Sequence, residues 1–137
     1  MGDEIVPTDT IPKNGQIRDI NTHTISAMVE ESGCIAKPFG IAKDNFEEQL
    51  HIAQQGIHEC DVLIFSAGSS VSTRDLTADV INHLGDPGVL VHGLSLKPGK
   101  PAILGIVNNK PIFGLPGNPV SAMIVFDLIV RPTLYHL

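Results

Sequence analysis

Tryptophan is absent from this 137-residue chain, and aromatic residues as a whole make up only 4% of it. A platform that stacks unpaired bases needs aromatic faces, so that class of nucleic-acid binder is disfavoured. Basic residues are also scarce: nine Lys and Arg stand against fifteen Asp and Glu, for a formal net charge of −6. Such a balance repels a phosphate backbone unless charge is strongly segregated, which argues against a nucleic-acid partner. Only two cysteines occur, Cys34 and Cys60, and their spacing matches no metal-binding pattern. Both lie beside apolar runs and read as buried, reduced thiols of a cytoplasmic protein. No apolar run is long enough to cross a bilayer, and there is no internal repeat or low-complexity tract. What remains is 42% hydrophobic and 18% charged, the composition of one globular domain over residues 1–137.

The stretch that organises the chain is Ser66-Ala67-Gly68-Ser69-Ser70-Val71-Ser72-Thr73-Arg74-Asp75. It follows Asp61–Phe65, an apolar run suited to a buried strand, and precedes Leu76–Leu84, where Leu76, Val80 and Leu84 repeat at helical spacing. A loop between strand and helix lies at the strand's carboxyl end, where open α/β sheets bind ligands. Gly68 permits close backbone approach, and Ser69, Ser70, Ser72 and Thr73 offer donors. Asp75 is expected at the helix start, as a cap or as a carboxylate ligand.

Elsewhere, Asn21-Thr22 opens an amphipathic helix that ends at Gly33, and Cys34–Ile41, interrupted by Pro38, fits an outer strand. Asp44-Asn45 caps a second helix with Phe46, Leu50, Ala53 and Ile57 on one stripe; His51 and His58 fall off it and are expected in solvent. Gly88–Gly93 reads as a buried strand. The apolar segments 102–107 and 111–115 flank Asn108-Asn109 as a hairpin. Asn118 caps a last helix with Pro119 at its first position, and that helix is apolar almost all round. The spacing implies an α/β protein, a three-layer α/β/α sandwich around a mostly parallel, mixed sheet.

Three loops are then expected at one sheet edge. The first carries Ser70 and Asp75, the second Lys97 and Lys100 within Lys-Pro-Gly-Lys-Pro, and the third Asn118 and Ser121 at a helix start. Each alone is explained as a turn or a cap. Together they offer backbone donors, two cations and a carboxylate, suited to a phosphorylated ligand held with a divalent metal.

Six motifs stand in one order: Gly-Asp-Glu-Ile-Val at 2–6, Gly-Gln-Ile-Arg-Asp-Ile-Asn at 15–21, Lys-Asp-Asn at 43–45, the 66–75 loop, Lys-Pro-Gly-Lys-Pro at 97–101 and Gly-Leu-Pro-Gly-Asn-Pro-Val-Ser-Ala at 114–122. In this the chain closely resembles the molybdopterin-binding domain of the molybdopterin molybdotransferases, the family that includes the gephyrin E domain. The resemblance implies molybdenum cofactor biosynthesis: binding of adenylylated molybdopterin, Mg²⁺-dependent insertion of molybdate, and release of AMP. It implies Glu4, Asp44 and Asp75 as catalytic carboxylates, with Asp75 near a Mg²⁺-bound pyrophosphate. Gly68, Ser69, Ser70, Lys97, Gly99, Lys100, Gly117, Asn118 and Ser121 fall in the implied substrate-binding set. The first loop departs from the family's Ser-Gly-Gly-Val-Ser-Val-Gly, having Ala67, Ser69 and Ser72 in place of Gly, Val and Gly.

Two alternatives stand beside this reading: a molybdopterin adenylyltransferase of the same fold, and a non-catalytic pterin-binding or scaffold module. In the family, Gly-Asp-Glu follows the first strand of the sheet, and only Met1 precedes it here. The resemblance therefore implies a piece of a longer, multidomain polypeptide whose first strand is missing. Its open edge and apolar last helix would be covered by the remaining domains or by a second copy in a homodimer.

Overall fold

The computed structural model describes residues 2–66 and 71–137, and of residues 71–75 the backbone alone. Gly68, Ser69 and Ser70 lie outside the described residues, as does the Asp75 side chain. The order is β1 (Ile5–Val6), β2 (Ile17–Arg18), α1 (Ile20–Glu31), α2 (Phe46–Glu59), β3 (Leu63–Ser66), α3 (Val71–Leu84), β4 (Pro87–His92), β5 (Ile103–Val107), β6 (Lys110–Leu115) and α4 (Pro119–Val125). A π-helical turn, Phe126–Val130, carries α4 into α5 (Arg131–Leu134). Pro132 accounts for that widening. It has no N–H for the Leu128 carbonyl, and its ring crowds the turn before it.

The main sheet runs β3-β6-β5-β4, with β1 and β2 a separate parallel pair. β3 is parallel to β6, while β5 is antiparallel to both of its neighbours. The sheet is mixed, as expected, with β5 alone running against the other three. The β5–β6 hairpin turns at Asn108 and Asn109, with φ of 50° and 63°. Two left-handed residues in a two-residue loop match the twist of the flanking strands, and Asn tolerates that conformation.

Each face of the sheet carries its own core. On one, Ile25 and Met28 of α1 pack with Ala122, Val125 and Phe126 against Phe113 and Leu115. On the other, Ala53 of α2 and Ala78, Val80 and Ile81 of α3 meet Leu63, Phe65, Ile103, Val107 and Ile112. The expected α2 stripe is borne out, since Phe46, Leu50 and Ile57 pack on that second core beside Ala53. Asn45 caps α2 by accepting from the Glu48 N–H, while the Glu48 carboxylate accepts from the Lys43 N–H. At its other end, Lys110 Nζ donates to the carbonyls of Ile57 (2.7 Å) and Cys60 (2.8 Å).

Several expectations are corrected. Residues 34–41 form no strand: Pro38 lacks a donor, Gly40 turns with φ +87°, and the stretch runs beside the sheet rather than in it. β4 is not buried, because it is the sheet's outer strand; a bulge falls between Val89 and Val91, and Leu90 is 55% exposed. α1 starts at Ile20, with the Asp19 carboxylate accepting from the Thr22 N–H. α3 starts at Val71, so Asp75 is its fifth residue and not its cap. Cys34 and Cys60 are free thiols, but half-buried rather than buried.

β3 is the other outer strand. Beside it runs a groove of about 1000 Å³ lined by Ile25, Val29, Phe39, Ile52, Val62 and Ile64, among others. Val120, Met123 and Leu128 stay exposed on the outer face of the last helical run.

Candidate active site

Strand register decides which loops meet. Phe65 of β3 and Ile103 of β5 both pair with Gly114 of β6. The end of β3, the end of β6 and the start of β5 therefore share one edge. His92 pairs with Ile103, so the connection carrying Lys97 and Lys100 begins and ends at that edge too. The strand ends from which the three loops spring thus lie together, while residues 67–70 of the first loop are outside the described residues.

The second loop is closed by its own hydrogen bonds: the Leu94 N–H to the Lys100 carbonyl (2.8 Å), Gly93 N–H to Ala102 (2.8 Å) and Ala102 N–H to Gly99 (3.1 Å). Gly99 is buried with φ +121°, and its role is to seat the loop on α4. Lys97 and Lys100 are both exposed, and neither has a carboxylate partner among the described residues. In the third loop, Asn118 Oδ1 accepts from the Ser121 N–H (3.2 Å) and from its hydroxyl (3.4 Å). Capping thus engages both side chains with each other, and Pro119 contributes no N–H.

Asp44 is engaged with Asp3, the residue before Glu4. The Asp3 N–H donates to Asp44 Oδ2 (3.4 Å), and the Asp44 N–H donates to Asp3 Oδ1 (3.2 Å). The Glu4 carboxylate folds back over Gly2, where an added Cβ would lie 2.6 Å from Oε2. Its backbone carbonyl accepts from the Ile17 N–H at 2.8 Å, and the Val6 carbonyl accepts from the Asp19 N–H at 2.8 Å. A cavity of about 540 Å³ opens here, lined by Asp3, Thr8, Asp19, His23 and Lys43 among others. The Thr8 hydroxyl and His23 Nε2 are 3.2 Å apart across it.

Among the described residues, no group of three or more His, Cys, Asp or Glu gathers as a metal cage. Asp3 and Asp44 do bring hard oxygen donors together. Mg²⁺ typically takes one or two carboxylates and completes its shell with water and substrate phosphate, so this donor set fits it.

Sequence reasoning passed over Asp3, Asn21 and Ser66. Asn21 Nδ2 donates to Ser66 Oγ (2.8 Å) and to the Gly117 carbonyl (2.9 Å). The signal for it was its place in the 15–21 motif, which offered no partner to pair it with.

The family model described as "Probable molybdopterin binding domain" matches residues 1–136. A molybdopterin molybdenumtransferase of Haemophilus influenzae is 36% identical over 139 residues, covering 99% of this chain and 33% of that protein. The crystal structure of a molybdopterin biosynthesis moeA protein from Pyrococcus horikoshii is similar with a TM-score of 0.88 and 40% identity, covering 98% of this chain and 33% of that one. Molybdenum cofactor biosynthesis protein B shares the fold, with a TM-score of 0.71 at 20% identity over 98% of this chain and 91% of its own. The chain spans about a third of the length of the curated relatives it matches.

Proposed function

This chain belongs to the molybdopterin-binding domain family, and we propose that it is the part of a molybdopterin molybdotransferase that holds adenylylated molybdopterin during molybdate insertion. The observation that carries this reading is the meeting, at one sheet edge, of the strand ends that bear the three loops, set by Phe65 and Ile103 on either side of Gly114. A ligand with an anionic centre and a heterocycle at one end needs such a composite edge.

In this reading Lys97 and Lys100 hold oxyanion oxygens, their ammonium groups being uncommitted to any carboxylate among the described residues. The first loop, with Gly68, Ser69 and Ser70, receives the pterin phosphate through backbone and hydroxyl donors. Asp75 would help to hold Mg²⁺, which supplies neutralisation of pyrophosphate charge when bound, and Asp3 and Asp44 are the other carboxylates that could reach such an ion. Glu4 directly precedes β1, which pairs with β2 at the entry to α1, and completes the acidic set of this reading. The domain acts within a longer polypeptide, in line with its share of its relatives' length.

Calorimetric titration with adenylylated molybdopterin, with and without Mg²⁺, tests the assignment. A charge-assisted contact contributes about 1.5–3 kcal/mol, so Lys100→Ala should weaken binding roughly ten- to a hundred-fold. Asp75→Ala should remove the Mg²⁺-dependent part of the affinity. Lys13→Ala, on the 7–16 loop between β1 and β2, is the control. Equal losses at Lys13 and Lys100, or unchanged metal dependence at Asp75, would sink the reading.

A further inference from the structure

The seven asparagines of the chain differ in what holds them. Asn45 and Asn118 cap α2 and α4 through their side-chain oxygens, and Pro119 after Asn118 has no N–H. Asn82 Oδ1 accepts from the Val89 N–H at 2.9 Å, and Asn21 Nδ2 is bound to Ser66 and Gly117. Asn108 and Asn109 form the β5–β6 turn, where the residues that follow them, Asn109 and Lys110, both carry side chains. Asn14 alone is followed by glycine. It is exposed, and its side-chain amide has no hydrogen-bond partner among the described residues.

Asn14 and Gly15 are the central residues of a turn closed by the Gln16 N–H on the Lys13 carbonyl, at 3.0 Å. Gln16 Oε1 accepts in return from the Lys13 N–H, also at 3.0 Å. φ is +83° at Gly15 and negative at Asn14, the pattern of a type II turn. Only the first and last residues of such a turn share its closing bond. The Gly15 N–H is accordingly without a partner among the described residues. Nothing lies within 4 Å of a Cβ built on Gly15. The peptide nitrogen after Asn14 is thus unbonded and unhindered, beside a side-chain amide that is unbonded too.

We propose that Asn14 is a site of spontaneous covalent modification, through attack of the Gly15 backbone nitrogen on Asn14 Cγ. The new C–N bond closes a five-membered imide, the Cγ–Nδ2 bond breaks, and the proton from the Gly15 nitrogen leaves with ammonia. Water then opens the ring at either carbonyl, giving an aspartyl residue or a β-linked isoaspartyl residue. Asparagine is thermolabile for this reason, and a following glycine presents no Cβ to obstruct the ring. The product carries one further negative charge, and its β-linked form lengthens the backbone inside the Lys13–Gln16 turn. Ile17 follows that turn directly, and its N–H holds the Glu4 carbonyl at 2.8 Å. The inference is independent of the molybdopterin reading.

The experiment holds the folded 137-residue chain at neutral and at mildly alkaline pH, beside a sample in urea. Each asparagine is followed by peptide mapping after digestion at acidic pH. In the folded chain Asn14 is expected to lose its amide roughly tenfold faster than Asn108, Asn109 or any other asparagine, a barrier lower by about 1.4 kcal/mol. Its rate should stay within about threefold of its rate in urea, and rise with pH because the attacking nitrogen must shed its proton. Two products of equal mass, aspartyl and isoaspartyl, should appear. Gly15→Ala sets a side chain beside the attacking nitrogen and should slow the loss roughly tenfold. Asn14→Gln, which can close only a six-membered ring, should abolish it at residue 14 and keeps the test decisive should Gly15→Ala fail to fold. An Asn14 that persists in the folded chain while it converts in urea would show that the turn shields it, and would overturn the proposal. So would conversion of Asn108 or Asn109 at the same rate, or an aspartyl product alone, the mark of direct attack by water.

Discussion

A Cβ placed on Gly99 would stand 2.7 Å from Cγ2 of Val125, so the loop carrying Lys97 and Lys100 closes onto α4 only because residue 99 has no side chain. The same atom would lie 2.9 Å from Cδ2 of Leu96, and φ at Gly99 is +121°, a conformation that L-residues rarely adopt. A glycine within an implied substrate loop thus acts by letting that loop dock. Its contribution to binding is indirect, through the placement of the two lysines.

Gly99→Ala should therefore destabilise the fold by about 2–3 kcal/mol, the cost of overpacking combined with a strained backbone. Gly15→Ala is the comparison, since Gly15 also has positive φ, +83°, but nothing lies within 4 Å of an added Cβ there. Urea unfolding of both variants measures the difference. Equal midpoints would show that steric contact with Val125 adds nothing to the backbone strain.

Lys110 should prove structural despite its charge. Its ammonium group satisfies two carbonyls, Ile57 and Cys60, at the end of α2, and it is partly buried in doing so. Lys110→Met keeps the aliphatic stem and leaves both acceptors without that donor, which should cost about 1–3 kcal/mol. Oxyanion affinity should stay within about twofold of wild type, in contrast to Lys100→Ala. Loss of affinity with unchanged stability would reverse the assignment.

The open edge of β3 and the groove beside it lead to a third expectation. An unpaired strand beside an apolar groove is a hazard that a further strand would remove. We propose that a longer polypeptide supplies it, and that adding about ten to fifteen residues of the natural upstream sequence, enough for a strand and its turn, raises the melting temperature. For a domain of this size each kcal/mol gained corresponds to roughly 4 °C. Sedimentation of the extended and the 137-residue chains should show less self-association in the extended one. A monomeric 137-residue chain that gains no stability on extension would refute this.

How much of the site could be read from the residues depends on the range of the interactions involved. The Asn108-Asn109 hairpin, the Asn45 cap and the Asn118-Pro119 helix start were legible because their signals lie within a few residues. The start of α3 was not, since a hydroxyl-rich stretch reads as loop while residues from Val71 onward are helical. Cys34–Ile41 resembled a strand because apolar residues and Pro38 suit an outer edge; whether an edge has a ladder partner is not a local property. The pairing of Asp44 with Asp3 depends on a contact across 41 residues of chain, which no local signal announces.

By itself the sequence determined the local chemistry: where α2 and α4 begin, that Asn108-Asn109 turns a hairpin, and which stretches carry donors, cations and carboxylates. The order of its motifs was enough to place it in a family. Tertiary structure alone decided which strand ends share an edge, through the register of Phe65 and Ile103 against Gly114. It also decided that Asn21 reaches partners 45 and 96 residues away in the chain. The physical reason is that caps and turns are satisfied by neighbours in sequence. Strand register and a bridging amide depend on partners brought close only when two cores form on opposite faces of one sheet.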